Sequence, residues 1–473
     1  MKFNPTARRS RAALLSLMLL TSACASVPNL GPKPTPQAAG DYASSNSLAG
    51  TNSEWPGDGW WKSYGDSQLD KLIAEGLGGS PDLAAAAARV RTAQGLAQAA
   101  GAKLLPSLDA TASVSTLNPS NNLGLPVWDG FKEVGNAGLS LSFDLDLWGK
   151  NRAALRAAKK DAEAARFEAE EARLMLTTGI ASTYADLAAL YAQRDSLEKA
   201  LEIRSKSLEL VKQRVDAGLD NETALNLAEA RIPQTKADLA ATDEAIMLDK
   251  HALAGLTGQG PDRALTIDRP APGSLRAQGI PANASIDLVG RRPDIAAARA
   301  RVESAAEQIK VARADFYPNV SISGLLGLSS LGLGNFFHSG SFSAGVTPAV
   351  SLPLFHGGAL QGQYRGRRGQ YDEAVALYDG RVIQALRETA DTVTSEKSLD
   401  ERLAHSRSAL VSYDKALELA RIRYSQGLST YLDVLTAQES VVNARLVVAQ
   451  LETRAFTLDV QLIRSLGGGF KTA

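Results

Sequence analysis

From Ala137 to Leu147 every odd position is apolar (Leu139, Leu141, Phe143, Leu145) and every even one is small or polar (Gly138, Ser140, Ser142, Asp144, Asp146). Residues 342–354 alternate in the same way, with Phe342, Ala344, Val346, Val350 and Leu352 set against Ser343, Gly345, Thr347 and Ser351. Leu108, Ala110, Ala112 and Val114 alternate with Asp109, Thr111, Ser113 and Ser115, and a fourth run begins Val320-Ser321-Ile322-Ser323. A period of two predicts strands with one apolar face and one polar face. Runs of this length are the signature of transmembrane barrel strands, although half-buried soluble strands share it. Pro348 and Pro353 interrupt the pattern, since proline donates nothing to a strand ladder. Pro353 is read as the passage from strand to helix, and Pro348 has no such explanation.

Between the strands the period changes to that of helices. Ile295, Ala298, Val302, Ala305, Ile309, Ala312 and Phe316 form an unbroken apolar 3-4 seam. The same seam occurs 212 positions earlier as Leu83, Ala86, Val90, Ala93, Ala97, Ala100 and Leu104. Such spacing predicts coiled-coil packing, and the many alanines let neighbouring helices approach closely. The offset also carries Pro81-Asp82 onto Pro293-Asp294 and Pro106 onto Pro318, so the chain is two copies of a helix–strand–strand–helix unit. After each strand pair comes a long proline-free stretch, Lys150 to Ala217 and Gly358 to Gln426, ending at Gly218-Leu219 and Gly427-Leu428. At 1.5 Å per residue each could reach on the order of 100 Å. Glycine closing a helix fits a left-handed cap. Each is followed by a returning helical run, 222–256 and 430–465, so both glycines mark helix–turn–helix tips, and Pro233 is expected to kink the first return.

Four strands cannot close a barrel alone, because small barrels need about eight or more, so several chains must combine. The expected organisation has a signal peptide over 1–23, a tether over 24–65 and repeat 1 over 66–256, with strands about 108–147. A linker over 257–290 and repeat 2 over 291–465 follow, with strands about 320–354, and residues 466–473 form a tail. The loops 118–136 and 328–341 carry Trp128, Phe131, Phe336 and Phe337 and are expected to face outward.

Charge and rare residues narrow the function. The chain has 51 basic and 51 acidic residues, so nothing favours nucleic acid as a partner. Four scattered histidines and one cysteine offer no metal-ligand spacing and no nucleophile motif, so neither an enzyme, a metal site nor a cofactor is expected. Arg8, Arg9 and Arg11 precede the apolar run 12–20 and then Thr21-Ser22-Ala23-Cys24, an export signal with small residues before the only cysteine. Cys24 resembles the acylated first residue of bacterial lipoproteins, although Thr21 stands where leucine is commonest.

Taken with these features, Trp60-Trp61-Lys62-Ser63-Tyr64-Gly65-Asp66 with Leu69 and Leu72, Arg291-Arg292-Pro293-Asp294, Phe316-Tyr317-Pro318 and the two glycine tips give the chain its resemblance. Over nearly all of residues 24–465 it resembles the outer-membrane factors, the TolC-like exit ducts of Gram-negative efflux and secretion systems, and among them the NodT-type efflux lipoproteins. The resemblance implies an α+β membrane protein working as a homotrimeric α/β-barrel, lipid-anchored in the outer membrane with its helical tunnel in the periplasm. It implies a periplasmic adaptor docking on Gly218-Leu219 and Gly427-Leu428 and an inner-membrane pump, of RND or similar type, that supplies the energy. It places a periplasmic gate at Asp433, as an acidic ring, and at the tethering aromatic Tyr424. Three such carboxylates in a narrow pore would raise one another's pKa and favour cations. Repeat 1 has Ala224 at the place of Asp433, so the ring is threefold. Two family positions differ: Ser429 stands where a basic gate residue is common and Thr436 where a second acid is. Small-molecule efflux is the favoured function. A type I protein-secretion channel and a coiled-coil periplasmic lipoprotein without a pore stand as alternatives.

Overall fold

A computed structural model describes residues 26–44, 46–48, 54–118, 131–271, 281, 288 and 290–471. Cys24, Trp128 and most of the 257–290 linker's second half lie outside the described residues. The elements run α1 (Ser67–Gly79), α2 (Pro81–Ala102), β1 (Ser107–Leu117), β2 (Lys132–Asp144), α3 (Lys150–Asp216) and α4 (Glu222–Leu256). The second copy runs α5 (Pro293–Ala314), β3 (Asn319–Leu331), β4 (Phe342–Ser351), α6 (Ala359–Ser425) and α7 (Tyr431–Ser465). The duplication holds element by element: α2 and α5 have 22 residues each, α3 and α6 have 67, α4 and α7 have 35. Pro233 lies inside α4, which continues through it to Leu256.

The chain divides into two compact units. One comprises residues 1–36, 89–165 and 297–378 and holds the sheet, an antiparallel β1-β2-β3-β4 meander. Its register sorts the side chains as the alternation predicts. Leu108 pairs with Leu141, Leu139 with Leu326, and Leu328 with Phe342, on one face. Ser107 pairs with Ser142, Ser142 with Ser323, and Ser323 with Thr347, on the other. The apolar face is open, with Val346 74% and Leu108 64% exposed. An uncovered apolar band on a chain of zero net charge requires a non-aqueous neighbour. No helix among the described residues is long and apolar enough to cross a membrane.

Pro348 sits on this apolar face opposite Ile322, in β4 at the edge of the chain's own sheet, where proline is tolerated. Gly138 and Gly327 face each other across β2 and β3. A Cβ on Gly138 would lie 2.9 Å from the Leu326 carbonyl oxygen, and one on Gly327 would lie 2.5 Å from that of Ala137.

At their helix-side ends β2 and β4 stop earlier than the alternation suggests, at Asp144 and Ser351, while β2 begins earlier, at Lys132. The cause in repeat 1 is Asp146. It adopts φ 49°, and its carboxylate accepts the backbone N–H of Asn151 at 2.8 Å and of Arg152 at 3.0 Å. A polar position read as a strand position thus caps α3 instead.

The second unit comprises residues 37–88, 166–296 and 379–473. Its core gathers Trp60, Trp61, Leu69, Leu72 and Ile73 with Ile180, Tyr184 and Leu187 of α3, Leu253 of α4, and Phe456 and Ile463 of α7. Tyr64 Oη donates to Asp459 at 2.5 Å, and Asp66 caps α1 while accepting from Tyr184 Oη at 2.7 Å. The aromatic motif is therefore a staple. Trp60, Trp61 and Tyr64, in the stretch 24–65 expected to be a tether, are built into the helical core. Arg292, just before α5, makes a second staple: it bonds Asp294, Glu388 of α6 at 2.9 Å and the Ser465 carbonyl at the end of α7.

Candidate functional site at the helix–turn–helix tips

Both long helices end alike. Gly218 has φ 70° and Gly427 φ 74°. Gly218 donates its N–H to Val215 and Leu219 donates to Arg214; Gly427 donates to Tyr424 and Leu428 to Arg423. This crossed pair is the Schellman closure that a left-handed glycine permits. It throws the next residue outward, and Leu219 and Leu428 are 63% and 64% exposed. Two equivalent leucines are thus presented to solvent on rigid turns.

Beneath the tips the two hairpins share a core of Val211, Ala224 and Ala228 with Leu417, Tyr424, Tyr431, Val434 and Leu435. Tyr424 is 1% exposed and joins the two tips. Its hydroxyl donates to Asp220 Oδ2 at 2.5 Å, and the Arg214 guanidinium lies 4.6 Å from its ring centroid. Arg214 also donates to the carbonyls of Ser425 and Leu219, each at 3.2 Å, so it spans both turns. Burial and the adjacent Asp220 carboxylate raise the Tyr424 pKa well above the ordinary phenol value, so the hydroxyl stays a donor at any physiological pH.

Asp433 lies on the exposed side of α7's first turn. Its carboxylate accepts from Thr430 N and from Thr430 Oγ1, both at 3.0 Å, and completes a capping box. In repeat 1 Asn221 caps α4 alone, accepting the Ala224 N–H at 3.0 Å, and Ala224 is buried. The break in the repeat therefore changes the cap and puts a solvent-facing carboxylate at position 433, where repeat 1 has the buried Ala224. Ser429 Oγ is buried with no hydrogen-bond partner among the described residues, and Thr436 Oγ1 bonds back to the Leu432 carbonyl. Asp220 and Arg214 are site residues that the sequence pattern does not mark; the one signal is an acid two residues past Gly218, at the tip without the tyrosine.

The sequence pattern described as outer membrane efflux protein matches residues 72–259 and 287–468. The chain belongs to that family. Among solved structures, this outer membrane efflux protein is 42% identical to the outer membrane protein VceC of Vibrio cholerae, with a TM-score of 0.84, covering 88% of this chain and 100% of that one. It is 31% identical over 432 residues to the multidrug resistance outer membrane protein MdtP of Escherichia coli O6:H1, covering 89% and 88% of the two chains. It is 30% identical over 470 residues to the pyoverdine export outer membrane protein OpmQ of Pseudomonas aeruginosa, covering 97% of each. The fold is that of the trimeric, TolC-like outer-membrane channels. The chain is the outer-membrane exit duct of a tripartite efflux system, and its family and fold are those of channels. The open apolar face of the sheet, which a pore-free periplasmic rod would not carry, agrees with that membership.

Proposed function

We propose that three copies of this chain close their sheets edge to edge into a barrel of twelve strands, four from each, and their helices into a tunnel that conducts small molecules passively. The unpaired edges of β1 and β4 support closure by neighbouring copies. The tunnel shuts at the tips. The observation that carries this reading is the Tyr424–Asp220 hydrogen bond, which ties the tip of repeat 2 to that of repeat 1 in a buried setting.

Asp433 of each copy supplies one carboxylate to a threefold acidic ring. Leu219 and Leu428, thrown outward by Gly218 and Gly427, are the apolar contacts on which a periplasmic adaptor docks, and an inner-membrane pump drives the cargo. Multidrug resistance, the role of MdtP, and pyoverdine export, that of OpmQ, support small molecules as the cargo class. Cys24 is the acylated anchor, and residues 31–37 lead from it along α6. The Arg368 guanidinium bonds the Gly31 and Pro32 carbonyls, and Tyr371 Oη bonds the Pro34 carbonyl at 2.9 Å.

Reconstitution in planar bilayers tests the ring. Asp433→Asn keeps a side-chain acceptor for the cap and removes the charge, so cation selectivity should fall while the heat-resistant oligomer persists. Selectivity equal to that of the unaltered channel would remove Asp433 from the gate.

A further inference from the structure

At the helix-side ends of β2 and β3 the chain carries a basic pocket that export does not use. The cavity is about 470 Å³ and is lined by Trp148, Arg152, Arg156, Lys310, Arg313 and Tyr317. Trp148 lies four residues past the end of β2 and Tyr317 two before the start of β3, so the pocket sits where the apolar band of the sheet ends. The two rings stack 4.8 Å apart at 23°, and Trp148 Nε1–H donates to the Pro318 carbonyl at 2.8 Å. Fixed aromatic rings with a polar handle at this level form the girdle that a barrel places among lipid headgroups.

The cations are short of counter-ions. Arg152 is paired with Asp146, but Glu307 alone serves both Arg156, at 2.8 Å, and Lys310, at 2.5 Å. Burial pushes the Glu307 carboxyl up, yet the bonds from Lys310 and Arg156 outweigh it and hold its pKa low. The Arg313 guanidinium has no hydrogen bond or ion pair among the described residues, and its side chain is exposed. Lys33 of the N-terminal segment adds a further positive charge, 5.6 Å from the Tyr371 ring centroid. Burial lowers the Lys33 pKa, and Arg368, Lys310 and Arg313 lower it further, with only Glu307 opposing them. A guanidinium without an ion pair, beside an ammonium and a guanidinium that share one carboxylate, leaves net positive charge converging on one cavity, a phosphate-binding arrangement.

We propose that this pocket binds the phosphate of an anionic phospholipid in the periplasm-facing leaflet of the outer membrane, with Arg313 and Lys310 as the principal contacts and Trp148 against the glycerol and upper acyl chain. Placing the pocket on the lipid side rests on the anchor reading. A segment leading to an acylated Cys24 runs outside the wall, and Lys33 of that segment lies in the field of Lys310 and Arg313. The ligand orients the base of the barrel at the membrane boundary and neutralises the cluster there.

Native mass spectrometry of the full-length channel, purified in mild detergent and given phosphatidylglycerol or phosphatidylcholine, provides the test. Phosphatidylglycerol should be retained over phosphatidylcholine. Arg313→Gln and Lys310→Gln should each weaken that retention about fivefold, the worth of roughly 1 kcal/mol per cation, leave phosphatidylcholine unchanged, and leave the heat-resistant oligomer intact because both side chains are exposed. Equal retention by the unaltered channel and the double variant overturns the proposal, as does displacement of the lipid by millimolar inorganic phosphate, which would mark a free-phosphate site. A chain exported by a non-lipoprotein signal in place of residues 1–24 separates the two readings. Phosphatidylglycerol retained by that chain supports the pocket without the anchor. Retention lost there but normal in Arg313→Gln would refute the pocket and leave the anchor standing.

Discussion

Asp433 shows two kinds of work done by one carboxylate. It closes a capping box with Thr430 and it is the charge that repeat 1 lacks. Asp433→Ala removes both, so about 0.5–2 kcal/mol of local helix stability goes with the charge. Its conductance should therefore rise more than that of Asp433→Asn in the same bilayer assay. A different carboxylate gives a pH dependence. Burial, then the charges of Asp459 and Asp400, push the Glu396 pKa up to about 7 from the ordinary glutamate value of 4.5. The folded chain thus keeps a proton that the unfolded chain has already lost, so stability falls as pH rises from about 4.5 to about 7 and is level beyond it. Thermal dissociation of the oligomer at pH 5 and pH 8 should show that loss, and Glu396→Gln should largely abolish it. Residue identities of this kind were only partly legible in the sequence. Tyr424 could be placed by resemblance and Asp433 by its asymmetry with Ala224. Asp220 could not, because its bond to Tyr424 joins residues 204 positions apart and exists only once the two hairpins have packed.

Elements were read more securely than their ends. Helix lengths followed from runs without proline and from the closing glycines, whose φ values of 70° and 74° are those the turn demands. Strand ends were overrun because alternation continues through Leu145 and Leu147 while the backbone has already turned at Asp146. The seam of alanines was equally regular in both copies. In α5, Ile295, Val302, Ile309 and Ala312 are buried, whereas in α2, Val90, Ala93, Ala97 and Ala100 are only half-buried, a difference no period can reveal. Two substitutions probe these elements. Gly327→Val would drive a side chain into the β2 backbone, where even a Cβ meets the Ala137 carbonyl oxygen at 2.5 Å. The heat-resistant oligomer should be lost on gels. Arg292→Met should strand the Asp294 and Glu388 carboxylates between α5, α6 and α7, a loss of about 3–5 kcal/mol that lowers the thermal dissociation temperature.

At the scale of the whole molecule, a neutral chain exposes an apolar sheet face, two open strand edges and two leucine-bearing tips. Each is a surface that one copy leaves unsatisfied, and on the proposed function the bilayer, neighbouring copies and an adaptor meet them. On the proposed function the tips decide whether the duct conducts, with the Tyr424–Asp220 bond as the lock. A hydrogen bond of this kind contributes about 0.5–1.5 kcal/mol, or more with a charged acceptor, so its loss should multiply the open population roughly two- to tenfold. The most direct test is a double-mutant cycle read by single-channel current in planar bilayers. Tyr424→Phe and Asp220→Asn should each raise conductance, and the double variant should add little to either. Conductance unchanged in both single variants, or increments that simply add, would contradict a lock formed by that pair.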